Sequence, residues 1–470
     1  MALCRWLRLL GLLLAAMAAG PPPANGLDNG VAQVPPLGWS SWNSYGDTVN
    51  ATHLMRQADA MVELGLQRLG YRYIELDEPG FLRAANGSLV TNRTRFPDGI
   101  KAVADYIHRR GLLFGIYSSA GPLTCAGSAP PPAYTHGWAG MYGHECADAQ
   151  QFADWGVDYL FEDFCSAPKP GRELYPVTSK CLNATGREIF FLMCIWGLED
   201  VATWGGGVAN AWRISGDMYG RWDSVMRTWD NYKPWANYSA AGSWNFLDFL
   251  RMDEQYECQE YAREPNVTTL CFNEQRAHYT LWVVAGSPLI AGFDLTATAA
   301  AGVNRTVASR LLLNPEVLAV SQDPLAAPAV LCGDSQPSGL YWIEQWAKNL
   351  SDGSVAVAVF NRGDWSGGGS TAVPLDIGAI PGLRSRCCWD REVQACNSSA
   401  DCDPGGEGCV VDGTETKEHG KVHCQQAAGA FVVRDLWARE DLVVVGGGGL
   451  KVAVPNHGVG LYTVRRRKAS

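Results

Sequence analysis

Two short stretches of sequence frame the first part of the fold: YRYIELD at Tyr71–Asp77 and LLFGIYS at Leu112–Ser118. Both are rich in aromatic and branched aliphatic residues, which favours buried strands. Between them, residues 100–110 carry apolar side chains three and four positions apart, typical of one face of an amphipathic helix. A strand, a helix and a second strand in this order predict two parallel strands joined by a crossover helix.

The same alternation continues over residues 27–325. We count eight candidate strands along this part of the chain: Leu37–Trp42, Tyr71–Asp77, Leu112–Ser118, Val157–Asp163, Ile189–Trp196, Trp212–Asp217, Trp244–Leu250 and Leu289–Leu295. Asp148–Trp155 is predicted to be a short helix. Eight such units in roughly 300 residues favour a closed (β/α)8 TIM barrel. An open doubly wound sheet is the alternative, and the lack of a Gly-x-Gly-x-x-Gly segment after an early strand disfavours it.

After Pro324 the pattern changes to short strands. The candidates are Gly339–Trp346, Ser354–Asn361, Ala430–Leu436, Leu450–Val454 and Gly460–Val464, with a loop at Gly446–Gly449. They predict a C-terminal antiparallel β-sandwich domain over residues 326–470.

A cysteine-rich insertion at residues 386–424 interrupts this second domain. It holds Cys387, Cys388, Cys396, Cys402, Cys409 and Cys424. In an oxidising compartment such a cluster favours a disulfide-stapled segment over a metal site. Six cysteines allow 15 pairings, so the connectivity stays open.

Residues 1–26 are typical of a signal peptide. Arg5 and Arg8 precede the apolar run Leu9–Ala19, and small residues and prolines follow. A membrane anchor is the alternative, but the run is shorter than the roughly 20 residues that span a bilayer. We therefore expect entry into the secretory pathway, no membrane association after cleavage, and a final location outside the cell or in a lysosome or vacuole.

Cysteine content and glycosylation signals agree with this route. Of the 15 cysteines, Cys4 lies in the leader, which leaves 15 − 1 = 14, an even number. The Asn-x-Ser/Thr acceptor sequence occurs at Asn50, Asn86, Asn92, Asn183, Asn237, Asn266, Asn304, Asn349 and Asn397. The formal net charge of −10 repels phosphate backbones, so nucleic acid is not an expected partner.

Carboxylates recur where the candidate strands end. They are Asp77, Glu78, Glu162, Asp163, Asp217 and Asp248, and aromatic residues including Trp39, Trp42, Tyr117, Trp196 and Trp212 lie near them in sequence. In a (β/α)8 barrel this end of the strands carries the active site. Aromatic faces and carboxylates suit a sugar ring, and glycosidic cleavage needs two carboxyl groups. A single acid of this kind is often only a solvated rim residue, but four strands repeat the pattern.

Several longer stretches resemble one enzyme family. They include PPLGWSSWNSYG (residues 35–46), RFPDGIKAVADYIHRRGLLFGIYSSAGPLTCAG (95–127), AWRISGD (211–217) and SPLIAGFDL (287–295). They are similar to glycoside hydrolase family twenty-seven, which contains α-galactosidases and α-N-acetylgalactosaminidases. The resemblance covers most of the chain. It implies a catalytic barrel followed by a β-sandwich, with retaining hydrolysis of terminal α-D-galactosyl residues, a carbohydrate substrate, a possible homodimer, and no metal or cofactor.

The resemblance also assigns roles to residues. It places the nucleophile at Asp163 and the acid/base at Asp217, and it matches Cys125 and Cys165 with a disulfide pair that braces the pocket wall. The substrate-binding residues that it implies are Trp42, Asp77, Glu78, Tyr117, Phe161, Ile195, Trp196 and Arg213.

Three positions depart from the family pattern. Phe161 stands where the family has a lysine, Ile195 where it has a glutamate, and Glu78 where it has the second aspartate of a pair. Because glutamate is one methylene longer than aspartate, Glu78 would fill the space of the galactose hydroxymethyl group. A β-L-arabinopyranosidase is therefore an alternative function, and a catalytically weak sugar-binding protein or a purely structural glycoprotein are others.

Overall fold

A computed structural model describes residues 29–128, 137–252, 270–302, 306–338, 341–363, 370–375, 377, 380, 431–444 and 450–467. Within this part of the chain there are two compact units. The first comprises the chain up to Asp253 together with Ala285–Leu313, and the second comprises Glu254–Val284 together with Asn314–Ser470. The boundary expected after residue 325 remains a prediction.

The first unit contains an eight-stranded parallel sheet. Its strands are β1 (Leu37–Ser40), β2 (Tyr73–Leu76), β3 (Leu113–Ser119), β4 (Tyr159–Asp163), β5 (Phe190–Cys194), β6 (Ala211–Arg213), β7 (Trp244–Phe246) and β8 (Leu289–Ala291). Their order in the sheet is β8-β1-β2-β3-β4-β5-β6-β7. Each of the eight candidate strands overlaps one of them, with β3 extending one residue beyond its candidate and β6 beginning one residue before its own, so the predicted strands are confirmed.

Hydrogen bonds after β7 close the sheet into a ring. The amide of Leu250 donates to the carbonyl of Ile290 at 2.8 Å, and the amide of Gly292 donates to the carbonyl of Leu250 at 2.9 Å. Leu250 and Ala291 thereby form a parallel bridge. Because β8 also pairs with β1, the predicted (β/α)8 barrel is confirmed.

Helices occupy most of the connections. They are α1 (Trp42–Tyr45), α2 (Ala51–Glu63), α3 (Ile100–Arg109), α4 (Cys125–Ser128), α5 (Glu145–Trp155), α6 (Gly171–Ala184), α7 (Trp222–Tyr232), α8 (Phe272–Ala285), α9 (Leu295–Ala301), α10 (Val307–Leu312) and α11 (Pro315–Ser321). Short 3-10 turns lie at Gly46–Thr48, Gln67–Leu69, Leu198–Thr203, Gly205–Gly207 and Lys233–Tyr238, and Leu82–Arg83 pairs with Leu89–Val90 in a small hairpin. The two helices expected from the sequence are α3 and α5. The helices found in the described residues are all too short or too polar to span a bilayer.

Aromatic side chains fill the lower interior of the barrel. The rings of Tyr73, Tyr159 and Phe190 lie with centroids 4.7–5.7 Å apart, within the range of favourable aromatic pairs. They fit because β3 carries a glycine there. A Cβ atom on Gly115 would lie 2.5 Å from a ring carbon of Tyr159 and 3.0 Å from the Cβ of Glu75.

The second unit contains an antiparallel β-structure in addition to α8 and α11. Its strands are β9 (Val330–Ser338), β10 (Tyr341–Asn349), β11 (Val355–Asn361), β12 (Ser370–Leu375), β13 (Phe431–Asp435), β14 (Glu440–Val444), β15 (Leu450–Pro455) and β16 (Gly458–Arg466). Six form one sheet in the order β9-β10-β11-β16-β13-β14, and β12 pairs with β15. Apolar residues of both sheets share one buried cluster, including Val357, Val359, Val373, Leu375, Val452 and Val454. This is the arrangement of a β-sandwich.

Three of these strands escaped the sequence interpretation. The segments Val330–Ser338 and Ser370–Leu375 each contain a proline, and Glu440–Val444 begins with two acids, so none shows the alternation of a half-buried strand. The leader, the loop at Gly446–Gly449 and the cysteine-rich insertion lie outside the described residues.

Replacing Gly115 by alanine is expected to destabilise the barrel. The new methyl group would overlap the ring of Tyr159, and such overpacking costs about 1–3 kcal/mol. For a domain of this size we expect the melting temperature to fall by about 3–10 °C. Gly207→Ala is the matched control, since a Cβ there meets nothing within 4 Å. Equal melting temperatures for the two variants would contradict this account of the interior.

Candidate active site at the carboxyl ends of the strands

Asp163 is the last residue of β4, and its carboxylate is held on two sides. Oδ1 accepts a hydrogen bond from the amide of Phe164 at 2.9 Å, and Oδ2 accepts one from the hydroxyl of Tyr117 at 3.0 Å. The sulfur of Cys125 lies 2.9 Å from the same Oδ2. With these contacts and 8% exposure, the carboxylate has a fixed direction at the rim of the barrel.

Burial determines the acidity of Asp163. It raises the pKa of this carboxyl to about 6, although the Phe164 amide, the Arg213 guanidinium and the Tyr117 hydroxyl all favour the ionised form. Loss of solvation penalises the charged state, and the surrounding donors compensate only in part. The carboxylate is therefore ionised near neutral pH and becomes protonated in moderately acidic solution.

Asp217 lies beyond the end of β6 and is far more exposed, with 64% of its side chain accessible. Its Oδ1 accepts a hydrogen bond from Nη2 of Arg213 at 2.7 Å. Arg213 itself is buried, and the same Nη2 lies 3.2 Å from Oδ2 of Asp248. One buried guanidinium thus joins a solvent-facing carboxylate to a buried one.

Asp163 and Asp217 act on the same neighbours. The negative charges of both contribute to raising the pKa of Asp77, after burial and the charges of Glu75 and Glu78. Both also act on the buried thiol of Cys194 at the end of β5. The structure therefore brings the two acids into one electrostatic neighbourhood at the carboxyl ends of the strands.

Two predicted sugar-binding acids follow β2. The backbone amide of Asp77 donates to the Ser41 hydroxyl at 2.9 Å, and Oε1 of Glu78 accepts from the Ala126 amide at 2.7 Å. Burial raises the pKa of Glu78 to about 7. Its Oε2 is buried and has no hydrogen-bond partner among the described residues. An unsatisfied buried oxygen of this kind is costly unless a ligand or water completes it.

Phe161 and Ile195 make apolar contacts. The ring of Phe161 lies 5.8 Å from Tyr117, 5.6 Å from Phe249 and 6.4 Å from Phe246, and we call these four residues the Phe161 aromatic cluster. Ile195 is fully buried against the first turn of α6, since a Cβ on Gly171 would meet its Cδ1 at 2.4 Å. The side chain of Ile195 thus faces the helix layer.

The two tryptophans predicted for the pocket follow strand ends. Trp42 begins α1, and its amide donates to the Ser40 hydroxyl at 3.4 Å. Trp196 follows β5 with a φ of 54°, and its ring meets Phe164 edge to face at 6.1 Å. Both side chains are partly exposed.

The predicted disulfide between Cys125 and Cys165 is present, and a second one joins Cys146 to Cys181. Among the described residues, the single group with metal-ligand spacing is Cys125, Asp163 and Cys165. Both sulfurs belong to the disulfide and offer no thiolate, so this group does not suit a metal ion. Cys194 forms no disulfide with any described cysteine.

Sequence reasoning gave no role to Asp248 and overlooked Glu75. The position of Asp248 after β7 marked it as a rim acid. Its contact with Arg213 depends on a turn that the local sequence pattern does not predict. Glu75 lies two residues before Asp77 and so points to the same face of β2. That face is the barrel interior, where burial raises the pKa of Glu75 to about 8.

A closed parallel barrel with two acids at the carboxyl ends of its strands is typical of a glycoside hydrolase. The family model described as alpha galactosidase A, of the melibiase group, matches residues 34–323. An alpha-galactosidase of Arabidopsis thaliana is 38% identical over 82% of this chain and 90% of its own length. One from Coffea arabica is 40% identical over 75% and 85% of the two chains. This protein therefore belongs to the alpha galactosidase A family, as the sequence resemblance indicated.

The solved structures agree with this assignment. The crystal structure of alpha-galactosidase I from Mortierella vinacea is similar over 93% of this chain and 98% of its own, with a TM-score of 0.72 and 27% sequence identity. The similarity extends over both units, so the C-terminal β-structure is part of what the two proteins share.

Proposed function

We propose that this protein is a retaining exo-glycosidase that hydrolyses terminal α-D-galactosyl residues of oligosaccharides or glycoconjugates. The observation that carries the proposal is the pair of dissimilar acids at one rim. Asp163 is buried and held by fixed donors, whereas Asp217 faces solvent beside a buried cation. A retaining glycosidase needs two such carboxyl groups with different tasks.

In the proposed mechanism, ionised Asp163 attacks the anomeric carbon while Asp217 protonates the departing glycosidic oxygen. Arg213 stabilises the carboxylate that Asp217 becomes, since its guanidinium lies 2.7 Å from Oδ1. Water, deprotonated by Asp217, then releases the sugar from Asp163. For this chemistry the two carboxyl groups should be about 5–5.5 Å apart.

The proposed sugar-binding residues depart from the family pattern, whereas the two proposed catalytic acids do not. Asp77 and Glu78 supply carboxyl oxygens, but Phe161 offers a sugar hydroxyl no hydrogen bond. A missing hydrogen bond to a charged group removes about 1.5–3 kcal/mol. We therefore expect weaker binding of galactosides than a complete shell would give, with the bond-cleaving groups intact.

A second candidate substrate rests on Glu78. Its free Oε2 belongs to a side chain one methylene longer than aspartate. A β-L-arabinopyranoside has the ring stereochemistry of galactose without the hydroxymethyl group, and so leaves room for that methylene. The similarity to α-galactosidases supports a galactoside as the substrate, whereas the length of the Glu78 side chain supports the arabinoside.

We also propose that the protein works in the secretory pathway or beyond it. Disulfides persist in oxidising compartments. The two disulfides among the described residues therefore support this location. The carbohydrate is the one partner that the site requires; a homodimer remains a hypothesis.

Replacing Asp163 by asparagine should remove hydrolysis. The amide cannot act as the nucleophile, so kcat on nitrophenyl α-galactoside should fall by at least about three orders of magnitude. Glu162→Gln is a closely matched control. This neighbour points to the outer face of β4, where it accepts a hydrogen bond from the Thr178 hydroxyl at 2.9 Å. Undiminished turnover by the Asp163 variant would refute its role, and a wild type inactive on a glycoside panel would favour a sugar-binding protein.

The pH dependence should report on Asp163. Since the ionised form attacks, kcat/KM should decline as pH falls through about 6. Tyr117→Phe removes a hydrogen bond that favours the ionised form, so the pKa should rise and the acidic limb should move to higher pH. We expect a shift of up to about one unit. Tyr106→Phe is the control, since this hydroxyl also contacts a carboxylate, Asp59, on the outer helices. A shift to lower pH in the Tyr117 variant would contradict the assignment.

Replacing Glu78 by aspartate should move specificity toward galactosides. The shorter side chain restores space for the hydroxymethyl group, and one methylene in a pocket is worth roughly 10–200-fold in discrimination. The measurement is the ratio of kcat/KM for nitrophenyl α-galactoside to that for nitrophenyl β-L-arabinopyranoside, compared between variant and wild type. An unchanged ratio would remove the reason for considering the arabinoside.

A further inference from the structure

Asp248 adopts a strained backbone conformation just after β7. Its φ is 91°, a region that residues with a side chain rarely adopt, and it is 4% exposed. Such strain persists where surrounding contacts impose it. In this conformation the carboxylate of Asp248 reaches the segment that carries Asp217.

Both oxygens of Asp248 are used. Oδ1 accepts a hydrogen bond from the amide of Phe249 at 2.8 Å. Oδ2 accepts one from the amide of Met218 at 2.7 Å and lies 3.2 Å from Nη2 of Arg213. Arg213 ends β6 and Met218 directly follows Asp217, so one carboxylate holds both ends of the segment that carries Asp217.

The backbone at Asp217 is held from outside the segment: besides the contacts of Asp248, Nη2 of Arg227 donates to the Asp217 carbonyl oxygen at 2.9 Å. Gly216 precedes Asp217, and a Cβ placed there would meet no atom within 4 Å, so packing does not restrain this point of the chain. Glycine also has the widest backbone freedom of any residue. The Asp217 side chain is mostly exposed, and its direction depends on Arg213 and on the backbone on either side.

We propose that Asp248 is a positioning residue for the general acid/base: it fixes Arg213 and the Met218 amide, and thereby aims the Asp217 carboxyl at the glycosidic oxygen. This inference rests on the proposed function. Asp248 does not itself touch the reacting atoms. Its removal should therefore affect the steps in which Asp217 transfers a proton, and should spare those in which no proton is needed.

Asp248→Asn tests this with little change in size. A carboxamide has one oxygen, whereas the Phe249 and Met218 amides each need an acceptor, so one of the two hydrogen bonds must be lost. The charge beside Arg213 is lost as well. A misplacement of about 1 Å in a catalytic group can cost on the order of 100-fold in rate.

The readout is the dependence of kcat/KM on the leaving group. A dinitrophenyl galactoside departs without protonation, whereas a methyl galactoside or a disaccharide needs the acid. We expect Asp248→Asn to lower kcat/KM on the second kind by about 100-fold and on the first by less than about threefold. Azide, which attacks without base assistance, should raise kcat of the variant on the dinitrophenyl substrate. Equal losses on both kinds of substrate would show a merely structural role and overturn the proposal.

Two further variants complete the test. Asp217→Ala should show the same leaving-group dependence in stronger form; if it does not, the proposed function fails, whereas a dependence in Asp217→Ala without one in Asp248→Asn defeats this inference alone. Asp148→Asn also removes a buried carboxylate bonded to an arginine, Arg83 at 2.7 Å, and should change stability but not leaving-group dependence.

Asp248→Glu serves if the asparagine variant melts below the assay temperature. It keeps the negative charge but displaces the carboxylate by one methylene from its present position beside the Met218 amide. We expect the same selective loss on poor leaving groups. Uniform loss across the substrates would again overturn the proposal.

Discussion

Closure of the parallel sheet is the constraint on which the rest of the structure depends. When Leu250 pairs with Ala291, the eight strands form a ring and all their carboxyl ends point to one side. Asp77, Asp163 and Asp217 are far apart in sequence, but the closed ring places all three at the same end of the barrel. The ring also leaves no exposed strand edge in this sheet, so the backbone hydrogen bonds that hold it together are those that orient the site.

The period of two along a strand explains why part of the site was predictable. In β4, Tyr159, Phe161 and Asp163 face the interior, while Glu162 faces α6 and contacts Thr178. A strand that ends in two acids therefore presents one to the pocket, and the resemblance identified which. Asp248 was not predictable in the same way, because its role arises from a positive φ and from two partners on another strand's loop. The Cys146–Cys181 pair joins two helices, and no spacing rule predicts that contact.

Burial and charge around the rim give the two acids different surroundings. Burial raises the pKa of Asp77, Glu78, Asp163 and Asp248, so the site resists holding all its carboxyl groups ionised at once. Arg213 is a buried cation that lies between Asp217 and Asp248. The Asp217 carboxylate faces solvent on one side and the Arg213 guanidinium on the other. That environment differs from the buried surroundings of Asp163, in keeping with the different tasks proposed for the two acids.

None of the three departures from the family pattern supplies a hydrogen bond to Asp163 or Asp217 among the contacts of the described residues. Phe161 and Ile195 have no polar side-chain atoms, and Glu78 accepts from Ala126. Phe161 nevertheless reaches the chemistry indirectly, since its ring stacks on Tyr117, which donates to Asp163. In this chain Phe161 is a packing support for Tyr117, the residue that holds the Asp163 carboxylate. A lysine at this position would remove the Phe161 aromatic cluster, and with it the ring that stacks on Tyr117.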